Sequence, residues 1–371
     1  MAVPPGRLRR RLVPVVAMAV ALGLGLSGCF GGVVDPAAQF DPVDAPLGDD
    51  LSTSLDAVLD QAVALSGSSG AVAGVWAPWA GEWTGAAGTV DFGEKAEAAR
   101  ADTGFHMATL TTEVTCTVLL RLVDAGTVQL DDEVADYVDW IPTLDGITLE
   151  QLCRHTSGLP DFYPTLRSHF IANPARHWPV NELLSNGLAL SRVGPPGEQV
   201  RQSRTGILLL ALALERRTGK PWAELAQQYV FGPLGLEDTR ALSEAFATGA
   251  LLSEATERKQ WAAIPLGGSA PAWQMVGIGA MQYGPMRGSA GETAGALTAA
   301  FTDPESGLTV VVALNNSTAG ADFVRETAFA LVSVASKANP VDGRERPLVE
   351  LPWSVDQATA KMQELGICPK A

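Results

Sequence analysis

The stretch Phe105-His106-Met107-Ala108-Thr109-Leu110-Thr111-Thr112-Glu113 carries two hydroxyls, Thr109 and Thr112, at the head of a strong helical pattern. Residues three apart share one face of a helix. A hydroxyl so placed attacks a carbonyl when a neighbouring base takes its proton. Thr112 cannot serve as that base at neutral pH. Glu113 lies one residue further round, ~100° from Thr112, and is expected to point elsewhere. Thr109 keeps a hydroxyl, but its methyl group restricts rotation and crowds an attack path. A Ser followed three residues later by Lys would do better. Of Lys95, Lys220, Lys259, Lys337, Lys361 and Lys370, none has Ser three residues before it. Lys259 has Thr256 there, in a stretch without other matching context.

Metal chemistry is not indicated either. His106, His155, His169 and His177 do not fall at metal-ligand intervals from the cysteines, and no cofactor is expected. The formal net charge of -15 argues against nucleic acid or an anionic membrane surface as a direct partner. It suits the solubility of an exported protein.

The first residues read as a targeting segment. Arg7, Arg9, Arg10 and Arg11 precede an apolar run, Leu12 to Leu26, that is short for a membrane span of ~20 residues. The run ends in Leu26-Ser27-Gly28-Cys29, which resembles a bacterial lipobox. That resemblance implies cleavage before Cys29, a lipid on its sulfur, and anchorage at the outer face of the bacterial cytoplasmic membrane. The other reading is an ordinary secretory signal with a chance Cys; the adjacent arginines also suit twin-arginine export. Residues 1–28 are thus expected to be a signal peptide and residues 29–50 a flexible tether.

Further on, Leu55, Val58, Leu59, Ala62, Val63 and Leu65 recur at helical spacing over Leu51 to Leu65. Gly70 to Trp76 and Trp83 to Thr89 form a hairpin pattern. Thr111 to Ala125 is a helix stopped at Gly126. Residues 149–239 are mostly helical, and Ile207 to Arg216, apolar nearly all round, should be buried. Ala296 to Phe301 and Leu308 to Leu314 read as strands joined by a turn, and Asp322 to Ser336 as a closing helix. Strands near both ends and helices between predict an α+β fold: an antiparallel sheet flanked by helices plus an all-helical region. The domain is expected over residues 51–336. Residues 337–371 form an extension with an amphipathic candidate, Val355 to Leu365.

Five blocks resemble one family in the right order: Glu82-Trp83-Thr84-Gly85-Ala86-Ala87-Gly88, His155-Thr156-Ser157-Gly158-Leu159-Pro160, Pro196-Gly197, Phe231 to Thr239, and Asp303 to Asn315. The chain resembles the penicillin-recognising serine hydrolases: class C β-lactamases, D-Ala-D-Ala carboxypeptidases and penicillin-binding esterases. The resemblance implies the β-lactamase/DD-peptidase-like fold. It also aligns Thr109 and Thr112 with the family's nucleophilic Ser and its Lys. The Tyr-x-Asn motif becomes Gln202 and Arg204. The Lys/His-x-Gly motif of the edge strand becomes Ser289-Ala290-Gly291, or, one residue earlier, Gly288-Ser289-Ala290. Backbone N–H groups of Thr109 and Glu292 correspond to the family's oxyanion hole. Arg204, if buried, needs a counter-charge, with Glu292 the candidate; otherwise it reaches solvent. Cys116 and Cys153 sit at inward positions, either as a disulfide or as two buried thiols. The segment from Arg240 to Gly279 is shorter than its family counterpart, so the cleft wall there is expected to differ.

Loss of one general base costs about 100- to 10,000-fold, and three motifs have lost such groups. The resemblance therefore implies a lipid-anchored pseudoenzyme used for binding or scaffolding. Its partners would be the membrane through Cys29 and a peptidoglycan fragment or envelope protein. A divergent hydrolase (esterase, carboxypeptidase or β-lactamase) acting through Thr109 is the alternative.

Overall fold

The computed structural model describes residues 34–235, 239–341 and 343–368; the expected signal peptide and Cys29 lie outside them. Helix α1 (Asp49–Ser66) leads into the hairpin β1 (Gly70–Ala77) and β2 (Gly81–Gly88). Helix α2 (Leu110–Asp124) follows, with Thr109 as its N-cap residue. The helical region runs through α3 (Leu149–Cys153), α4 (Tyr163–Ala172), α5 (Val180–Leu188) and α6 (Arg204–Thr218). It continues with α7 (Trp222–Ala226), a π turn over Gln227–Phe231, α8 (Gly232–Leu234), α9 (Thr239–Thr248) and α10 (Glu254–Gln260). Strands β3 (Ile264–Pro265), β4 (Gln274–Val276), β5 (Met281–Tyr283), β6 (Met286–Thr293), β7 (Ala296–Thr302) and β8 (Thr309–Leu314) precede α11 (Ala321–Ala335) and α12 (Val355–Leu365).

The eight strands form one antiparallel sheet in the order β2-β1-β8-β7-β6-β5-β4-β3. Strands β7 and β8 are buried along their whole length, as expected of strands covered on both faces. On one face Leu297, Phe301, Val310 and Val312 meet α1, α11 and α12 through Leu59, Phe323 and Met362. On the other, Ala300 and Val311 meet Leu110 of α2. A second core, built around Leu119, Leu152, Leu209 and Leu214, holds the helical region together. Helix α6 buries one side, and Ile207 and Leu208 on the other are only partly covered, so it is less enclosed than its composition predicts.

Three expectations change. From Val34 onward the segment expected to be a tether is bound to the domain. Val34 N donates to Pro233 O (2.8 Å), Leu47 N donates to Glu82 O (2.8 Å), and Glu82 N returns a bond to Ala45 O (2.8 Å). Leu47 is buried, and the Phe40 ring packs at Gly307. Polar composition hid these apolar anchors. The extension likewise belongs to the fold: Ala358 and Met362 of α12 are buried, and the Trp353 ring stacks on Phe329 at 3.9 Å. Finally, β6 is an interior strand, because β5, β4 and β3 continue the sheet beyond it. These three strands are two or three residues long and lie among turns, so they leave no alternating pattern to read.

Candidate active site

Helix α2 meets β6 where Thr109 faces Gly291. A Cβ at residue 291 would stand 1.6 Å from Thr109 Oγ1 and 2.1 Å from Thr109 Cβ, so only glycine fits there. The Thr109 hydroxyl oxygen is buried and has no hydrogen-bond partner among the described residues. Ala108, just before it, holds φ 47°, a left-handed conformation uncommon for a residue with a side chain. The backbone amides of Thr109 and Glu292 flank this contact, one opening α2 and the other continuing β6.

Glu113 is placed differently from the sequence expectation. It is four residues from Thr109 and thus on the same helix face. It is 1% exposed and lies beside Ser289, two residues before Gly291 on β6. The pair Thr109 and Glu113 therefore runs along β6 in step with Gly291 and Ser289. Burial pushes the Glu113 carboxyl up to about 8, with the hydrogen bond to Ser289 opposing the shift. One carboxyl oxygen, Oε1, has no partner among the described residues. Reckoning from Thr112 concealed this; reckoning from Thr109 would have found it.

The second motif is reorganised around Arg204. Its Nη1 bonds Asp161 Oδ2 at 2.5 Å, and its backbone N–H bonds Asp161 Oδ1 at 3.2 Å. The guanidinium lies 3.9 Å over the Tyr163 ring. Its Nη2 donates to the backbone carbonyl of Glu292 (3.2 Å). Asp161, not Glu292, is thus the counter-charge, and Glu292 supplies a main-chain acceptor only. Asp161 follows the His155-to-Pro160 turn directly, which puts it beside the α6 N-terminus. Ser203 caps α6: its Oγ accepts from Gly206 N (3.1 Å) and donates to Pro160 O (3.0 Å). Ser203 N donates to His155 Nδ1 (3.4 Å). Burial lowers His155 to about 4, and the charge of Arg204 adds to the shift. Gln202 is exposed and faces the cleft.

Two cavities open on either side of Thr109 and Thr112. One, of about 420 Å³, is lined by His155, Gln202, Ser289 and Arg325. The other, of about 430 Å³, is lined by Tyr163, Phe170, Arg204 and Glu292. The structure thus gathers Thr109, Thr112, Gln202, Arg204, Ser289 and Glu292 at one junction. Behind it, Cys116 of α2 and Cys153 of α3 form a disulfide with Cα atoms 5.9 Å apart. Gly279 N donates to Cys153 O (3.2 Å), so the bridge also holds the loop before β5. Among the described residues, no group of three His, Cys, Asp or Glu is arranged to hold a metal ion.

The β-lactamase family profile matches residues 55–249, more than half of the chain. The chain belongs to the β-lactamase family. Over 144 residues it is 35% identical to D-alanyl-D-alanine-carboxypeptidase/endopeptidase AmpH of Escherichia coli strain K12, covering 37% of each chain. Over 220 residues it is 30% identical to esterase EstB of Burkholderia gladioli, covering 54% of this chain and 55% of the esterase. The matches therefore span less than two thirds of the length of either relative. A D-stereospecific amidohydrolase from Streptomyces sp. superposes with a TM-score of 0.65 at 21% identity, over 75% of this chain and 98% of its own. That likeness establishes the shared fold. In this β-lactamase-family chain the residues that the sequence resemblance aligns with the family motifs, Thr109, Thr112, Gln202, Arg204 and Ser289, meet at the α2–β6 junction.

Proposed function

We propose that this β-lactamase-family protein is a non-hydrolytic binding protein of the bacterial cell envelope. In this reading a lipid on Cys29 holds it at the outer face of the cytoplasmic membrane, and its cleft takes a peptidoglycan fragment or an envelope protein. One observation carries the proposal: the Thr109 hydroxyl is buried against Gly291, with no acid or base bonded to it among the described residues. A nucleophile needs a base at about 2.6–3.2 Å and a path to the carbonyl. Glu113 is the acid on the same face. Burial raises its pKa to about 8, so it is mostly protonated at pH 7 and is not poised to take the Thr109 proton. Arg204, fixed by Asp161 and Tyr163, stands at the position of the family's Asn as a permanent cation.

The test is incubation with a fluorescent penicillin, nitrocefin and p-nitrophenyl esters beside a Thr109→Ala variant. Neither protein should be labelled or turn over substrate. Labelling or turnover that vanishes in Thr109→Ala would overturn the proposal in favour of a hydrolase working through Thr109. The anchor is tested separately by radiolabelled palmitate incorporation, which should disappear in Cys29→Ala.

A further inference from the structure

A third concavity lies beyond the α2–β6 junction, between β4, α11 and α12. It has a volume of about 590 Å³ and is lined by Trp273, Gln274, Arg325, Trp353, Gln357 and Lys361, among others. That volume falls in the range of small-ligand sites, about 300–1,000 Å³. Much of its wall comes from the C-terminal extension, beyond the part of the chain that matches the family profile.

Two indoles dominate it. The rings of Trp273 and Trp353 have centroids 5.6 Å apart with planes at 47°, and both side chains are partly exposed. Trp353 is held rigidly: it stacks on Phe329 at 15°, and its Nε1 donates to Phe329 O (3.2 Å). A side chain so held has little entropy left to lose on binding. Each charged side chain around it already has an ionic partner, three carboxylates sharing two cations. Arg325 pairs with Asp322 (2.6 Å) and Glu326 (2.9 Å), and Lys361 pairs with Glu364 (2.6 Å). An anionic ligand would have to compete with these carboxylates for Arg325 or Lys361.

The lining suits a neutral molecule with an apolar face and many hydroxyls around its edge. A pyranose ring has that form. Its C–H face carries partial positive charge and packs against the negative face of an indole. Its hydroxyls can bond the Gln274 and Gln357 amides and the outer edges of the ion pairs. We propose that this groove is a saccharide-binding site distinct from the family cleft. Asp322 and Arg325 line both this groove and the cavity at His155 and Ser289, so the two adjoin. The site does not depend on whether the cleft is active.

The experiment is titration of the whole protein with chitotriose, followed by tryptophan fluorescence and calorimetry. Saturable binding is expected. Trp273→Ala should weaken it about ten-fold, the loss of one aromatic platform, while Trp273→Phe retains most of it. Ala360→Trp places a bulky ring in the groove from an exposed position on α12 and should abolish binding without moving the unfolding midpoint. The proposal is overturned if chitotriose gives no saturable change at millimolar concentration. It is equally overturned if binding survives Ala360→Trp in a folded protein.

Discussion

Thr109 and Gly291 are interlocked: the threonine side chain occupies the volume that any Cβ on residue 291 would need. The contact fixes how closely α2 approaches the sheet. Gly291→Ala is expected to cost roughly 3 kcal/mol, the upper end of overpacking. Thr109→Ala should not rescue it, because the Thr109 Cβ is itself 2.1 Å from the intruding atom; Thr109→Gly should. Urea unfolding of the two double variants distinguishes them. A Gly291→Ala protein as stable as wild type would refute the interlock.

Glu113 imposes a pH dependence. Its folded pKa, about 8, lies above the unfolded value of 4.5, so the folded state binds more protons between them. Stability therefore falls as pH rises from about 4.5 to 8 and is level beyond. The size is about 3–5 kcal/mol, taking 1.36 kcal/mol per unit. Glu113→Gln should flatten this limb and be the more stable protein at pH 8, measured by denaturant midpoints across pH.

His155 acts on the opposite side. Its folded pKa of about 4 lies below the unfolded 6.5, so stability is full above 6.5 and is lost as pH falls toward 4. Between about 4.5 and 6.5 the two groups oppose each other, which predicts a shallow optimum there. A stability maximum above pH 8 would contradict the Glu113 assignment, and one below pH 4 the His155 assignment.

Arg204 and Asp161 are 22% and 14% exposed, enough shielding for the pair to matter. Removing one member strands the other, at a cost of several kcal/mol when burial is complete. Asp161→Ala is expected to cost about 2 kcal/mol. The double variant with Arg204→Ala should cost less than the sum of the two by about 1 kcal/mol. A double-mutant cycle in urea reads that coupling, and a coupling of zero would show the pair to be incidental.

The Cys116–Cys153 bridge spans a sequence separation of 37 residues. Constraining a loop of that length in the unfolded chain is worth about 4 kcal/mol. A Cys116→Ala/Cys153→Ala variant should lose about that much and unfold at correspondingly lower denaturant. Wild-type protein should reach the same midpoint under reducing conditions once the bridge is opened.

The long elements were legible because their patterns are local. Leu55, Val58, Leu59 and Ala62 mark α1 by spacing alone, and Val355 to Leu365 coincides with α12. The short strands β3 to β5 were not, since two or three residues carry no period. The motif positions could be placed by resemblance, but their new partners could not. Asp161 reaches Arg204 across 43 residues of sequence, and nothing local announces the pairing. Glu113 is legible through a different spacing: it is four residues from Thr109, which puts the two on one helix face.

Strand β1 is paired on one side with β2, its neighbour in sequence, and on the other with β8, near the end of the domain. The order of synthesis therefore matters. Until β8 is in place, β1 presents a bare edge of unpaired amides and carbonyls, rich in Ala and Val, that invites the wrong strand. Even when β8 arrives, the Phe329 face of α11 stays uncovered until Trp353 and α12 follow. The fold can close only when nearly all of it has been made. A chain truncated after residue 336 is a product that ought to aggregate rather than a smaller working domain.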